Sequence, residues 1–597
     1  ADGLAMTFAP MLDVSRDPRW GRGVEGFGED PWLGARLAEA KVRGFQGVDL
    51  SAADSLAACA KHFCAYGPVT AGREYAAVDI CERTLHEVHL PPFTAAIAAG
   101  VATVMPSFTD LAGIPMTAHV GLLRGWLREK HGFDGVIVSD YNAIGELINH
   151  GVAADLVDAA TLALKAGVDI DMMADAYRRA LPTALERGMV TMAEIDAAVR
   201  RVLTLKQQLG LFDDPYRRGA KAETPSVLTN RRRIARAVAT RCIVMLKNER
   251  ETLPLGHLRT IAVIGPLANA PTEMGGPWGA AQDAASHVSV LAGLHEALAD
   301  TQILHALGVE IESETTAGIP EAARLCDRAE AIVLCVGEAA NMSGEAASRA
   351  HLELPGRQRA CAEAVLARAQ DLGKPVVVVL FSGRPLVVPW LFDKAGAVIA
   401  AWFLGSEAGN AIADVLTGRV SPSGRTPMAW PRAVGQIPVF FGQRPSGRPA
   451  NPQDHYTSKY LDIPNEPLFP FGYGLTYGRF ALANLRVSPD RAAASDTIEV
   501  RVDVTNEGAR AAEETIFLFT RDKVASVTRP LLELKGFGKI ALDPGATGTV
   551  TLRLPVGELR FLGLELTPVF EPGEVEILVG PCADRTRLLR TSVQLVG

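Results

Sequence analysis

Apolar runs of strand length alternate with helical patterns along the first 215 residues. Four of these runs end in polar or Gly/Pro-rich loops: residues 7–14, 56–65, 101–108 and 135–140. Helical patterns such as residues 155–166 lie between them, and Thr191 with Glu194 forms a capping box before the last predicted helix. Strands that alternate with helices predict a parallel sheet, and we expect a β/α barrel over residues 1–215.

A second β/α series is predicted for residues 236–477. Its predicted strands are nearly uninterrupted apolar runs, typical of strands buried on both faces: residues 260–265, 331–337, 375–381 and 397–403. Helices predicted at residues 355–372 and 409–416 complete a doubly wound α/β sandwich. The hydrophilic stretch 213–233 indicates a linker, which we place at residues 216–235.

The hydrophobic period changes after Tyr477. Apolar and polar residues alternate at 498–504 and 550–554, and Pro-Gly turns lie at 543–545 and 571–573. This pattern indicates short antiparallel strands. Residues 478–597 are therefore predicted to form a β-sandwich, and the fold class as a whole is α/β followed by all-β.

Composition limits the kinds of molecule that the protein is expected to bind. The 597 residues carry a formal net charge of −8, which argues against nucleic acid and anionic membranes as partners. No apolar stretch approaches the ~18 residues of a membrane span. The 8 cysteines are scattered without a zinc-binding spacing, so we expect no metal site. Unpaired cysteines favour a cytoplasmic location and leave a periplasmic one open.

The segment most informative about chemistry is residues 135–141, an apolar run that ends in Ser139 and Asp140. In a β/α barrel the C-terminal ends of the strands form the catalytic face, so Asp140 is a candidate catalytic carboxylate. A cap on the following helix explains Asp140 equally well from the residues alone. Lys61 and His62 end another predicted strand and suit a polar substrate, although a structural histidine fits as well.

The loop after the first predicted strand is rich in charge. Its Arg and Asp side chains suit a hydroxyl-rich ligand. For Arg16, Asp17 and Arg19 the residues favour a bracing salt-bridge network instead, and Arg22 stays undecided.

Glu345, in the second region, lies among small residues that allow another surface to approach closely. Glutamate is readily tuned as a general acid, yet a solvated loop glutamate is the simpler interpretation of Glu345. Glu338, nearer the preceding strand, could serve the same purpose or hold the loop.

Several motifs resemble those of the three-domain β-glucosidases of glycoside hydrolase family 3. They occur in the family's order across nearly the whole chain: APMLDVSRDPRWGR at residues 9–22, KHF at 61–63, VSDY at 138–141, SGEA at 343–346 and PFGYGLTY at 470–477. The resemblance implies a TIM-like β/α barrel, an α/β sandwich and a C-terminal fibronectin type III-like domain.

By position in these motifs, the resemblance implies a retaining exo-acting β-glucosidase with Asp140 as nucleophile and Glu345 as general acid/base. It assigns Arg22, Lys61 and His62 to hydroxyls of the bound sugar. The implied reaction is a double displacement through a covalent glycosyl-enzyme, with the two carboxyl groups ~5–5.5 Å apart. Its only implied partner is a small β-glucoside or oligosaccharide, and it needs no metal or organic cofactor.

Met105, Phe108 and Tyr141 complete the implied substrate-binding set. Phe108 stands where relatives have Tyr, which removes one hydroxyl contact to the nucleophile. Tyr141 stands where many relatives have Trp or His, which alters stacking on the leaving group.

Alternatives remain open at this point. A β-xylosidase or mixed-specificity exo-glycosidase would use the same machinery, whereas the family's N-acetylglucosaminidases fit less well, since they carry a His-Asp pair after Lys-His-Phe and lack the later domains. The resemblance also implies an Asp-x-x-His-Gly segment upstream of Ala1, part of an N-terminal barrel segment that the sequence does not include. Without it, an inactive sugar-binding protein is a further alternative. Linkage preference, aglycone and a homodimeric state are left undecided.

Overall fold

The computed structural model describes residues 3–219, 224–279 and 283–597. The chain divides into two compact units, Ala1–Pro225 and Ser226–Gly597. The first unit contains the predicted β/α region. The second contains both the α/β sandwich and the C-terminal β-sandwich.

A parallel sheet lies at the centre of the first unit. Its regular strands are, in spatial order, Cys59–Phe63, Thr103–Pro106 and Val136–Ile137. Single parallel bridges continue the sheet at both edges: Met6–Ala57, Met11–Lys61 and Val138–Ile170. Successive chain segments therefore lie side by side in parallel, as in part of a TIM-like barrel.

The regular strands are shorter than the predicted runs. Residues 7–14 join the sheet through the single bridge Met11–Lys61, and the neighbouring Pro10 has no N–H to donate to a ladder. In the predicted strand 135–140, only Val136–Ile137 is regular. The N–H of Ile137 donates to the carboxylate of Asp169 at 2.8 Å instead of to a neighbouring strand.

Helices of the first unit bury their apolar residues against the sheet. The α-helices are Pro31–Gln46, Glu82–Thr84, Pro91–Ala98, Ala143–Asn149, Leu156–Ala166, Ala176–Glu186 and Met192–Gln208, and π-helical segments occupy Leu85–His89 and Gly121–Lys130. The predicted capping box is confirmed, because the side chains of Thr191 and Glu194 each accept the other's backbone N–H. Trp20, Phe63 and Phe93 are among the largest fully buried side chains of this core.

The second unit is built around a six-stranded sheet. Its strands are, in spatial order, Val244–Asn248, Ala397–Ala400, Val376–Phe381, Ala331–Gly337, Thr260–Ile264 and Gln302–Ala306. The first pair is antiparallel and all other pairs are parallel. The three strands that were predicted as apolar runs and lie at the middle of the sheet are buried along their whole length, as predicted.

Helices cover this sheet, and the first of them starts inside the predicted linker. The α-helices are Pro225–Cys242, Val290–Ala297, Ile319–Arg328, Gln358–Asp371, Pro389–Lys394 and Ala408–Leu416. Helix Pro225–Cys242 takes up much of the stretch predicted as linker, and residues 220–223 of that stretch lie outside the described residues. Two ion pairs of 2.6 Å, Arg232–Glu407 and Arg236–Asp414, hold the helix in place.

The C-terminal region is the predicted antiparallel sandwich. One sheet contains Phe480–Ser488, Thr497–Asn506 and Thr547–Pro555, and the other contains Arg491–Ala492, Leu589–Leu595, Gly573–Gly580, Ala512–Asp522 and Glu533–Leu542. A two-stranded ribbon pairs Phe561–Leu562 with Pro568–Val569. The predicted alternation is confirmed, since Ile498, Val500, Val502 and Val504 all point into the core.

Close contacts join the sandwich to the α/β domain within the second unit. Arg425 forms an ion pair with Glu514, and the rings of Phe471 and Phe517 meet edge to face with centroids 5.6 Å apart. Among the described helices, none combines the length and apolarity that crossing a membrane requires.

Two helices of the second unit cross at glycines, and this contact generates a stability prediction. A Cβ added to Gly409 would lie 1.9 Å from the carbonyl oxygen of Ser289, and one added to Gly293 would lie 2.2 Å from that of Gly409. We expect Gly409→Ala to lower the free energy of unfolding by about 1–3 kcal/mol or more, because the backbones must separate. Thermal and urea unfolding measure the change.

Gly435→Ala is the matched control, because a Cβ at Gly435 meets nothing within 4 Å. It should leave the stability nearly unchanged. A Gly409→Ala variant as stable as Gly435→Ala would contradict the close packing of these helices.

Candidate active site

Asp140 lies at the C-terminal edge of the sheet in the first unit. It follows strand Val136–Ile137, and Lys61, His62 and Met105 lie at the same ends of neighbouring strands. The side chain of Asp140 is 13% exposed, and its Oδ1 accepts the N–H of Tyr141 at 2.7 Å. The N-cap of the next helix is Asn142, so capping of that helix does not account for Asp140.

His62 faces Asp140. Its Nε2 lies 3.6 Å from Oδ2 of Asp140, slightly beyond hydrogen-bond distance. The imidazole is completely buried, and the ring of Tyr66 meets it edge to face with centroids 5.3 Å apart. Burial lowers the pKa of His62 well below its usual value, and the positive charges of Arg22 and Lys61 lower it further.

Asp13 holds His62 from the other side. Its Oδ2 accepts the backbone N–H of His62 at 3.0 Å and lies 3.0 Å from Nδ1 of the ring, while its Oδ1 accepts the N–H of Tyr66 at 3.2 Å. Burial raises the pKa of Asp13 to about 7, against the opposing effects of these N–H groups and of Arg22. The imidazole therefore lies between two carboxyl groups.

Arg22 is buried beside this group. It forms an ion pair with Glu25 at 2.7 Å, and its guanidinium lies 5.7 Å from the centre of the Tyr66 ring. Tyr66 is also completely buried, and its ring lies 6.3 Å from that of Phe108. Arg22, His62 and Phe108 thus gather around one aromatic residue.

The other candidates differ in exposure. Met105 is buried in strand Thr103–Pro106, and Lys61 is half-buried immediately before His62. Phe108 is buried and also contacts the ring of Tyr75, with centroids 5.2 Å apart. Tyr141 is 59% exposed, so its ring is available to a ligand approaching the end of the sheet.

Sequence reasoning missed Asp13 and Tyr66 as members of the group. Asp13 lies near the end of the predicted strand 7–14, just before the charge-rich loop, and Tyr66 follows the KHF motif by three positions. The available signal was the position of Asp13 at the end of an apolar run, the same signal that identified Asp140. The bracing role expected in this loop is confirmed for Asp17 and Arg19, which pair at 2.6 Å.

Glu345 belongs to the second unit and is exposed at the edge of a recess of 410 Å³. The recess is also lined by Trp278, His287, Asn341 and the glycine-rich segment 275–279. Gly344 has φ +96, and a Cβ there would lie 2.7 Å from Cβ of Pro277. The small residue beside Glu345 is therefore required by the close approach of this segment.

Glu338 holds the loop that carries Glu345. Its buried carboxylate pairs with Arg349 at 2.6 Å and with Arg384 at 3.2 Å, and it accepts the hydroxyl of Ser343 at 2.9 Å. Arg384 also donates to the carbonyl oxygens of Met342 and Ala347. Of the two roles considered for Glu338, the structure supports the one of holding the loop.

Comparison with known proteins follows the same division of the chain. Residues 1–205 match the family described as "Glycosyl hydrolase family 3 N terminal domain", and residues 243–477 match "Glycosyl hydrolase family 3 C-terminal domain". Residues 514–583 match "Fibronectin type III-like domain".

Curated relatives and solved structures align over almost the whole chain. A periplasmic beta-glucosidase of Salmonella typhimurium is 42% identical, and the alignment covers 100% of this chain and 81% of that protein. A beta-xylosidase of Formosa agariphila is 38% identical, with 97% and 81% covered. The crystal structure of a beta-glucosidase from Listeria innocua in complex with isofagomine has a TM-score of 0.94 at 38% identity, with 100% of this chain and 83% of that chain covered.

The anchoring of the Glu345 loop generates a prediction. Glu338→Gln removes the charge that two guanidinium groups share, so we expect the amides of residues 340–347 to exchange faster, by about 10-fold or more. Hydrogen–deuterium exchange of the corresponding peptides measures the effect.

Glu363→Gln is the control, because Glu363 forms a half-exposed pair with Arg359 at 3.1 Å. It should leave exchange in residues 340–347 unchanged. Equal exchange in the two variants would show that Glu338 does not hold the loop.

Proposed function

Because the chain belongs to glycoside hydrolase family 3, we propose that it is a retaining exo-acting β-glucosidase that releases terminal non-reducing β-D-glucosyl residues. The observation that carries this proposal is the cluster at the end of the first unit's sheet. There the carboxylate of Asp140, 13% exposed, faces completely buried His62, with Arg22 and Lys61 nearby. Such a group combines a nucleophile with donors for sugar hydroxyls.

Asp140 is proposed as the nucleophile. Its carboxylate attacks the anomeric carbon, the bond to the glycosidic oxygen breaks, and a covalent glycosyl ester forms. The N–H of Tyr141 holds Oδ1, which limits rotation of the carboxylate before attack. Arg22, Lys61, His62, Met105 and Phe108 are proposed to bind the sugar, and Tyr141 to contact the leaving group.

Glu345 is proposed as the general acid and base. It protonates the departing oxygen in the first step, so that the aglycone leaves as an alcohol. In the second step it takes a proton from the water that attacks the glycosyl ester, which releases glucose with its β configuration retained. The recess beside Glu345, with exposed Trp278, is suited to the apolar face of a leaving group.

A β-xylosidase is the second candidate. The observation that favours it is the similarity to a protein named as a beta-xylosidase, almost as high as that to the beta-glucosidase. The two activities share the chemistry and differ in contacts to the outermost carbon of the sugar, so relative kcat/KM on the two aryl glycosides distinguishes them.

We predict that the protein hydrolyses p-nitrophenyl β-D-glucoside with a higher kcat/KM than the β-D-xyloside. Asp140→Asn should lower kcat on the glucoside by on the order of 10³-fold or more, because the variant lacks the nucleophile. A 2-deoxy-2-fluoroglucoside should label the wild type on the peptide that contains Asp140, as measured by mass spectrometry.

Asp155→Asn is the control for a merely capping aspartate, since Asp155 caps helix Leu156–Ala166 and Asn is an equally good cap. It should keep wild-type activity. Sugar binding without turnover would favour the inactive alternative, and an active Asp140→Asn variant would refute the nucleophile assignment.

We predict that Glu345→Ala separates the two steps of the reaction. Release of 2,4-dinitrophenol, which needs no protonation, should stay fast in the first turnover, whereas hydrolysis of cellobiose should fall by about 10²–10⁴-fold. Azide should restore steady-state turnover and yield β-glucosyl azide, which NMR detects.

Glu353→Ala tests an exposed glutamate close to the same loop and should behave as the wild type. If azide fails to restore Glu345→Ala, or if cellobiose hydrolysis persists, another residue supplies the proton.

A further inference from the structure

Asp13, His62 and Asp140 form a chain of three titratable side chains. Nδ1 of His62 lies 3.0 Å from Oδ2 of Asp13, and Nε2 lies 3.6 Å from Oδ2 of Asp140. Nε2 is buried and has no hydrogen-bond partner among the described residues. A buried ring nitrogen without a hydrogen-bond partner lowers the stability of the folded protein. The position of Nε2 opposite Asp140 therefore needs a physical explanation.

The proton count of the Asp13–His62 pair decides what Nε2 presents to Asp140. When the pair holds two protons, one lies between Asp13 and Nδ1 and the other is bonded to Nε2. Nε2 is then an N–H donor, whether Asp13 or Nδ1 carries the proton between them. After the pair loses a proton, the remaining one lies on Nδ1 beside the Asp13 carboxylate. Nε2 then turns a lone pair toward a second carboxylate, which is repulsive.

We propose that Asp13 is a positioning residue that keeps an N–H on Nε2 of His62, so that this N–H, which also faces the bound sugar, orients and stabilises the ionised carboxylate of Asp140. The inference rests on the proposed role of Asp140 as nucleophile. The distance of 3.6 Å is slightly longer than a hydrogen bond, and the proposed role requires it to shorten in the substrate complex, as catalytic hydrogen bonds commonly do.

Burial and charge around the pair agree with a proton held near neutral pH. Burial raises the pKa of Asp13 to about 7, and burial lowers the pKa of His62, so the shared proton lies toward Asp13. Arg22 and Lys61 favour its loss, whereas Glu25 favours its retention. The pair therefore keeps its proton below about pH 7 and loses it as the pH rises above that value.

A purely structural Asp13 would behave differently. Its carboxylate also accepts the backbone N–H groups of His62 and Tyr66, so any substitution lowers stability. A loss of stability alone reduces the amount of folded enzyme. It does not change the pH at which kcat/KM of the remaining active enzyme falls. The pH profile is thus the readout that separates positioning from support.

The test follows the pH dependence of kcat/KM between about pH 5 and pH 9 in a Glu345→Gln background, with the dinitrophenyl β-D-glucoside as substrate. This leaving group needs no acid and the variant lacks the general acid, so a fall in kcat/KM above about pH 7 reports the pair. Adding Asp13→Asn should lower kcat/KM at pH 6 by about 10- to 100-fold and abolish that fall. His62→Gln, added separately, should also abolish it.

Asp169→Asn is the matched control, because Asp169 is a buried aspartate of the same unit whose partners are Arg128, Arg201 and the N–H of Ile137. It should lower the melting temperature and keep the fall near pH 7. A fall that persists unchanged in Asp13→Asn and in His62→Gln overturns the positioning role, while the nucleophile assignment stands. Absence of dinitrophenol release in the wild type overturns both.

Discussion

The buried carboxyl group of Asp13 is the constraint on which the arrangement of the first unit's strand ends depends. A carboxyl group out of water is costly unless it is hydrogen-bonded, and here its partners are the backbone N–H groups of His62 and Tyr66 and Nδ1 of the His62 ring. Meeting that demand fixes the chain around residues 62–66 and turns the imidazole. The opposite ring nitrogen then has only one direction to face, toward Asp140.

Glu338 is a buried carboxyl group in the second unit, and its hydrogen-bond partners differ in kind from those of Asp13. Two guanidinium groups and one hydroxyl surround its carboxylate, and the guanidinium of Arg384 reaches on to backbone carbonyl groups of the loop. These ion pairs and hydrogen bonds tie the loop beside Glu345 to the strand that precedes it. Asp13 has no side-chain ion pair with an arginine or lysine among the described residues, and burial raises its pKa to about 7.

Much of the fold was predictable, because burial imposes a period on each type of element. Uninterrupted apolar runs identified the central strands of the six-stranded sheet, alternation identified the sandwich, and Thr191 with Glu194 marked a helix start. Strand limits were predicted less well, because they depend on partners. Pro10 offers no N–H to a ladder, and the N–H of Ile137 finds a carboxylate far along the chain. The stretch predicted as linker contains a helix stabilised by ion pairs with residues about 175 positions away.

The sequence by itself determined that Asp140, Lys61 and His62 would share one edge of a sheet, since parallel strands bring their C-terminal ends together. It also carried the motifs that place the chain in its family. Only the tertiary structure decided that Asp13 and Tyr66 join this group, that Glu338 holds a loop, and that His62 lies between two carboxyl groups. The pattern of apolar and polar residues along the chain indicates where a strand ends. The hydrogen-bond partners of a buried carboxyl group depend instead on which donors the folded chain brings within about 3 Å of it.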